Sequence, residues 1–101
     1  MTNLTSAVTQ VAPSVTAVTL AADNPSRIGW SFVNDGASDC LIKFGTAASS
    51  TSYTARVPSG GGFYEVPSYS VRGVRVVWNG IITGIWVGAV TGTSMATEVS
   101  L

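Results

Sequence analysis

The chain has 101 residues, of which 46% are hydrophobic and only 10% are charged, and five basic residues balance five acidic ones at a formal net charge of zero. It contains no histidine and a single cysteine. A chain of this length forms one domain. The lack of histidine excludes catalytic triads and metal sites that use an imidazole, so we expect a protein that is not an enzyme and that has no cofactor or metal.

The low charged fraction, against about 25% in typical domains, has two interpretations. The chain is either a β-domain with a serine- and threonine-rich surface or a subunit that hides apolar surface against its neighbours. The basic residues are scattered, which argues against nucleic-acid binding. The N-terminus has no basic residue and no apolar run reaches about 18 residues, so we expect neither a secretory signal nor a membrane span.

Residues 1–13 alternate small polar and apolar side chains and end at Pro13. Their β-branched content disfavours a helix, and Leu4, Val8 and Val11 are too few to join a core alone. We predict an extended N-terminal arm that contacts a neighbouring subunit through these three residues. A frayed tail and an ordinary edge strand are the alternatives. The β-domain itself is then expected to span residues 14–101.

From Ser14 onward, short runs of β-branched and aromatic residues alternate with turn residues. The predicted strands cover residues 15–20, 28–34, 40–44, 53–57, 63–66, 71–78, 81–87 and 95–99. This many short strands, without a helical period, predict an all-β fold, and we expect an antiparallel β-sandwich of the jelly-roll type. A barrel would show the same pattern.

The pair Asn79-Gly80 separates two apolar runs, and both residues tolerate the positive φ of a tight turn. We therefore predict that residues 71–78 and 81–87 form a hairpin. Gly73 and Gly84 lie within these strand patterns and indicate a bulge or a close approach of the backbone.

The tryptophans are the main candidate contact residues. Trp30 alternates with large apolar neighbours in its strand and is assigned to the core, whereas Trp78 and Trp86 on the hairpin arms are predicted to anchor a subunit interface. A carbohydrate groove lined by tryptophan and tyrosine rings is the alternative.

Two further residue types have simple interpretations. Cys40 lies in an apolar run and is expected to be a buried hydrophobic residue rather than a nucleophile. Asp35 and Asp39 share one turn, but the spacing of a calcium loop is missing, so they are expected to be solvated.

Several blocks of the chain occur in a distinctive order. They are Leu20–Gly29, a strand that ends at Asn34-Asp35, Leu41–Gly45, Thr51–Thr54, Phe63–Pro67 and Gly84–Trp86. In this order of blocks, the run from Val18 to Trp86 resembles a group of small virion proteins of tailed phages.

The resemblance implies a structural protein of the phage head, a decoration (cement) protein that binds the outside of the capsid lattice. The implied partners are the major capsid protein and further copies of the chain, as a homotrimer. The implied location is the exterior of the virion, after synthesis in the host cytoplasm. A tail, adaptor or fibre-base component is an alternative within the same class, and a carbohydrate-binding β-sandwich module is an alternative from another class.

Overall fold

Two four-stranded antiparallel sheets, packed face to face, form the body of the protein. The computed structural model describes residues 4–101. Its strands are β1 (Thr5–Val11), β2 (Val18–Ala21), β3 (Arg27–Asn34), β4 (Cys40–Phe44), β5 (Ala55–Val57), β6 (Gly62–Glu65), β7 (Ser68–Val71), β8 (Val74–Val77), β9 (Ile82–Trp86) and β10 (Ser94–Ser100). The described chain has no helix, so the all-β prediction is confirmed.

The strand order identifies the topology. The first sheet has the order β1-β10-β3-β6 and the second has the order β2-β9-β4-β5, while β7 and β8 form a separate hairpin. When this hairpin is set aside, the remaining strands have the connectivity of a jelly roll: the first and last strands lie beside each other, and all successive strands except β4 and β5 lie in different sheets. The prediction of an antiparallel, jelly-roll-like sandwich is confirmed.

The core lies between the two sheets and follows the period-two alternation of the strands. Trp30 and Phe32 of β3 stack with ring centroids 5.7 Å apart, and Phe32 meets Trp86 of β9 at 6.2 Å. The other buried members of the core are Leu20, Cys40, Ile42, Val57, Val66, Ile82 and Ala96. Apolar area removed from water here is the main stabilising term of the fold.

Most predicted strand bounds agree with the structure. The strands predicted at 28–34, 40–44, 63–66, 81–87 and 95–99 correspond to β3, β4, β6, β9 and β10, with ends that shift by one residue or none. The close approach predicted at Gly84 is also confirmed, because a Cβ atom there would lie 2.7 Å from Leu20 Cδ1.

The predicted hairpin at Asn79-Gly80 is wrong. β8 pairs with β7, and β9 pairs with β2 and β4, so residues 78–81 cross from the hairpin to the second sheet. The turn that reverses the chain is instead Arg72-Gly73, whose φ angles are +52° and +77°. Positive φ at both central residues is the signature of the tight turns that suit a two-residue hairpin loop.

Residues 5–11 form an edge strand rather than a free arm. β1 pairs with β10 along its whole length, from Thr5 opposite Ser100 to Val11 opposite Ser94. This is the alternative that the sequence left open, and residue 13 is therefore not a domain boundary. Pairing between backbone groups explains how a segment with few apolar residues is held in the sheet, since only Val11 packs against the core. Residues 1–3 of the predicted arm lie outside the described residues.

Candidate interaction surfaces

The β7–β8 hairpin carries an apolar face that is largely exposed. Tyr69 lies opposite Val76, and Val71 lies opposite Val74, so all four side chains project from the same side of the hairpin. Their exposed fractions are 57%, 39%, 53% and 61% in that order. We call these four residues the hairpin face. Contiguous exposed apolar surface on a small protein marks an interaction site.

The hairpin face does not follow from the predicted elements, because residues 71–78 are predicted as one strand. The signal was present, since Tyr69-Ser70-Val71 and Val74-Arg75-Val76 each alternate with period two on either side of Arg72-Gly73. An arginine before glycine is a weaker turn signal than asparagine before glycine. The sequence therefore favours a turn at Asn79-Gly80 over one at Arg72-Gly73.

The outer edge of β1 is the second exposed feature. Leu4 and Val8 are 62% and 66% exposed, and Val11 packs partly against the core. The residues predicted for the arm are therefore divided. Leu4 and Val8 are available for contact with another molecule, whereas Val11 contributes to the fold of its own chain.

A groove of about 430 Å³ opens between β1 and β2, the two strands at this end of the sandwich. Its lining includes Ala7 and Thr9 from β1, Leu20 from β2, and Trp30. Most of the lining side chains are small, so the groove admits close approach of another backbone. It contains two acidic residues, Asp23 and Glu98, and the Glu98 carboxylate is already engaged by Arg27 at 2.7 Å.

Trp86 is not an interface residue, and that prediction is wrong. Its side chain is 1% exposed and lies in the core between the sheets. The indole N–H donates to Asn34 Oδ1 at 3.1 Å, which satisfies the one polar group that the ring carries. A side chain enclosed by its own chain has no surface left for a partner.

Trp78 lies in the segment that crosses to the second sheet and is 38% exposed. Its ring stacks on Phe44 with centroids 5.7 Å apart and planes inclined by 6°, and its N–H donates to the Ile81 carbonyl at 3.0 Å. One face of the ring and its donor are thus used within the chain. The remaining exposed part stays a predicted contact.

The exposed aromatic rings lie on different elements. Tyr53 lies in the loop before β5, Phe63 in β6 and Tyr69 in β7. A sugar-stacking groove needs rings that converge on one ligand. Phe44 groups three rings in this way, because it packs against Tyr64 and Trp78 with ring centroids 6.5 and 5.7 Å apart.

Two buried polar side chains that the sequence analysis did not identify link separate parts of the fold. Asn34 donates to the carbonyls of Ser38 and Val57, each at 3.0 Å, and accepts from the Trp86 indole. Arg27 donates from Nη1 to the carbonyls of Trp78 and Gly80, at 3.2 and 2.8 Å. Asn34 continues the alternation of Trp30 and Phe32 onto the buried face of β3, whereas Arg27 is out of phase with it.

The charged residues of the turns are engaged locally. Asp39 accepts from the Ser59 backbone N–H at 2.9 Å and from Arg56 Nε at 2.8 Å, and these bonds, the backbone one first, hold the pKa of its carboxyl below the usual value. Within the described chain, no three acidic, cysteine or histidine side chains are grouped to hold a metal ion.

Cys40 is fully buried in β4. Burial raises the pKa of its thiol from 9.0 to about 12. A thiol with that pKa is protonated at neutral pH and unreactive, which agrees with its prediction as a buried hydrophobic residue.

Comparison of the chain with family models, with curated proteins and with solved structures finds no match. In the part of the chain that the structure describes, no helix is long and apolar enough to cross a bilayer.

Proposed function

We propose that this protein is a structural component of a phage particle, a decoration protein that binds the capsid lattice through the hairpin face. The observation that carries the proposal is the exposure of Tyr69, Val71, Val74 and Val76 on one side of a projecting hairpin. A two-stranded hairpin is marginally stable in water by itself, so a hairpin with an uncovered apolar face is suited to a surface that covers it.

Two further observations support the proposal. The ordered blocks between Val18 and Trp86 resemble those of tailed-phage virion proteins, as described above. Jelly rolls also recur in viral capsid proteins and in lectins, although a fold by itself does not define a function. The resemblance to virion proteins favours the particle over a sugar ligand.

The test is co-sedimentation of the purified protein with empty capsids assembled from the major capsid protein of the same phage. Val74→Lys places a charge within the hairpin face, beside the turn, and we expect capsid affinity to fall by more than about tenfold, the equivalent of 1.4 kcal/mol. The matched control is Val15→Lys, because Val15 is similarly exposed at 59% but lies outside the hairpin. Binding of the control should equal that of the unmodified protein.

Equal binding by the Val74→Lys variant would refute the role of the hairpin face. If the unmodified protein does not sediment with capsids, the decoration function itself is wrong. Immunogold labelling of whole particles would then show whether the protein belongs to the tail, and a glycan array would test the sugar-binding alternative.

A further inference from the structure

Two edge strands in the described chain, β1 with seven residues and β7 with four, lack the charges, prolines and bulges that block addition of another strand. Proteins protect edge strands with charges, bulges, prolines or short length. β5, β6 and β8 contain Arg56, Glu65 and Arg75, and β2 is bulged between Thr19 and Ala21. β1 and β7 contain no charge and no proline, and both pair without a bulge.

The free edge of β1 presents the backbone groups of Ser6, Val8 and Gln10. This follows from the alternation of antiparallel hydrogen bonds, counted from the bond that the Val66 N–H donates to the Trp30 carbonyl. That bond directs the backbone groups of Trp30 away from β10. The backbone groups of Ser31, and of every second residue of β3 counted from Ser31, therefore face β10. The same alternation can be followed through the register that joins β3 to β10 and then through the register that joins β10 to β1. It directs toward β10 the backbone N–H and carbonyl groups of Thr5, Ala7, Thr9 and Val11.

The free edge of β7 presents the backbone groups of Ser68 and Ser70. In a two-residue hairpin loop, the residues that flank the turn form a hydrogen-bonded pair, and here these are Val71 and Val74. Tyr69 and Val76 are the next bonded pair along the ladder. Ser70 and Ser68 alternate with them, so their N–H and carbonyl groups point away from β8.

We propose that the free edge of β1 in one copy of this chain pairs with the free edge of β7 in the next copy. Within one chain the hairpin contacts β3 through β8, and β10 lies between β3 and β1, so the two free edges do not meet. The pairing is therefore between molecules. It gives the two-stranded hairpin a third strand, the number at which a small sheet becomes stable, and it opposes no like charges because neither strand is charged.

The two edges differ, so the contact is head-to-tail, and head-to-tail contacts close into rings when the rotation allows. The inference rests on the proposed function for the size of the ring, which is three if the homotrimer implied by the resemblance to phage virion proteins is formed. The contact itself concerns only copies of this chain. It is tested without capsids, so its failure is distinguishable from failure of capsid binding.

The experiment measures native mass by light scattering over a range of protein concentrations, for the full chain and two proline variants. Val8→Pro and Ser70→Pro each remove one N–H that faces a free edge and leave the bonds within the chain intact, which edge strands tolerate. The controls Val8→Thr and Ser70→Thr keep the N–H. Circular dichroism checks that every variant is folded.

We expect the unmodified chain and both threonine controls to have three times the chain mass, and each proline variant to be a monomer. A mixture of the two proline variants has one intact edge of each kind, so it should form a two-chain species and nothing larger. A two-chain species formed by one proline variant alone would overturn the proposal, because it indicates that like edges pair. An unmodified chain that stays monomeric, or a proline variant that assembles as the unmodified chain does, would overturn it as well.

Discussion

At the scale of single residues, the least typical feature is the burial of Arg27. Its side chain is fully enclosed, with Nε 2.7 Å from Glu98 Oε2 and Nη2 2.6 Å from the Ala22 carbonyl. A planar guanidinium can serve several acceptors at fixed angles, which a lysine ammonium cannot do. Arg27 thereby ties β3 and β10 to the segment that crosses between the sheets.

Replacement of Arg27 by methionine should destabilise the protein by about 3 kcal/mol, because it leaves three carbonyl groups without their donor and leaves Glu98 with Asn24 alone as donor. Urea unfolding measures the change. The matched control is Arg56→Met, which removes a second arginine–carboxylate pair whose arginine is 53% exposed. Exposed pairs contribute less than about 1 kcal/mol, so similar losses in both variants would contradict the assigned role of Arg27.

At the scale of elements, the turns and the close contacts between strands determine which strands pair. Gly84 lies in the middle of β9, between β2 and β4. A Cβ atom at this position would lie 3.1 Å from Leu20 Cγ and 3.3 Å from Cys40 Sγ. Both neighbours are buried in the core, so they have little room to move.

The substitution Gly84→Ala should therefore destabilise the fold by about 1–3 kcal/mol, the range for overpacking a core. Gly29→Ala is the control, because Gly29 is also within a strand but its added Cβ would be 3.8 Å from Val99 Cβ, an ordinary contact. Thermal unfolding of both variants provides the comparison. If Gly84→Ala melts at or above the temperature of Gly29→Ala, then the core accommodates the added methyl group and the predicted overpacking is wrong.

At the scale of the whole molecule, the protein is elongated, with extents of 44 × 25 × 19 Å. Its stability depends on closure of the two sheets around a core that includes the Cys40 thiol. Because burial raises the pKa of this thiol from 9.0 to about 12, the folded protein retains the proton over a range in which the unfolded chain loses it. Burial also raises the pKa of Tyr64, which acts in the same direction.

We accordingly expect the free energy of unfolding to be constant between about pH 7 and about pH 9 and to decrease as the pH rises toward 12. The unfolded state binds fewer protons in this window, and each such group contributes a slope of up to about 1.4 kcal/mol per pH unit. Urea unfolding at a series of pH values measures the slope. The Cys40→Ala variant should have a shallower slope, and an unchanged slope would show that the thiol is not the group responsible.

Period-two alternation and turn residues in the sequence were sufficient to predict an all-β jelly-roll-like sandwich and most strand bounds, because each strand buries one face. The same alternation placed Trp30 in the core and Cys40 among buried residues, and both are observed there. These properties depend on neighbours along the chain, which the sequence displays directly.

Three properties depended on contacts between residues far apart in sequence. Trp86 is buried because Asn34 lies across the core to accept its N–H. Asn79-Gly80 belongs to a crossing segment because Arg27 binds the carbonyls of Trp78 and Gly80. Residues 5–11 are an edge strand because β10, at the other end of the chain, supplies the backbone partners. Local sequence preferences are weak compared with such tertiary contacts, so only the folded structure determined which strands pair and which surfaces stay exposed.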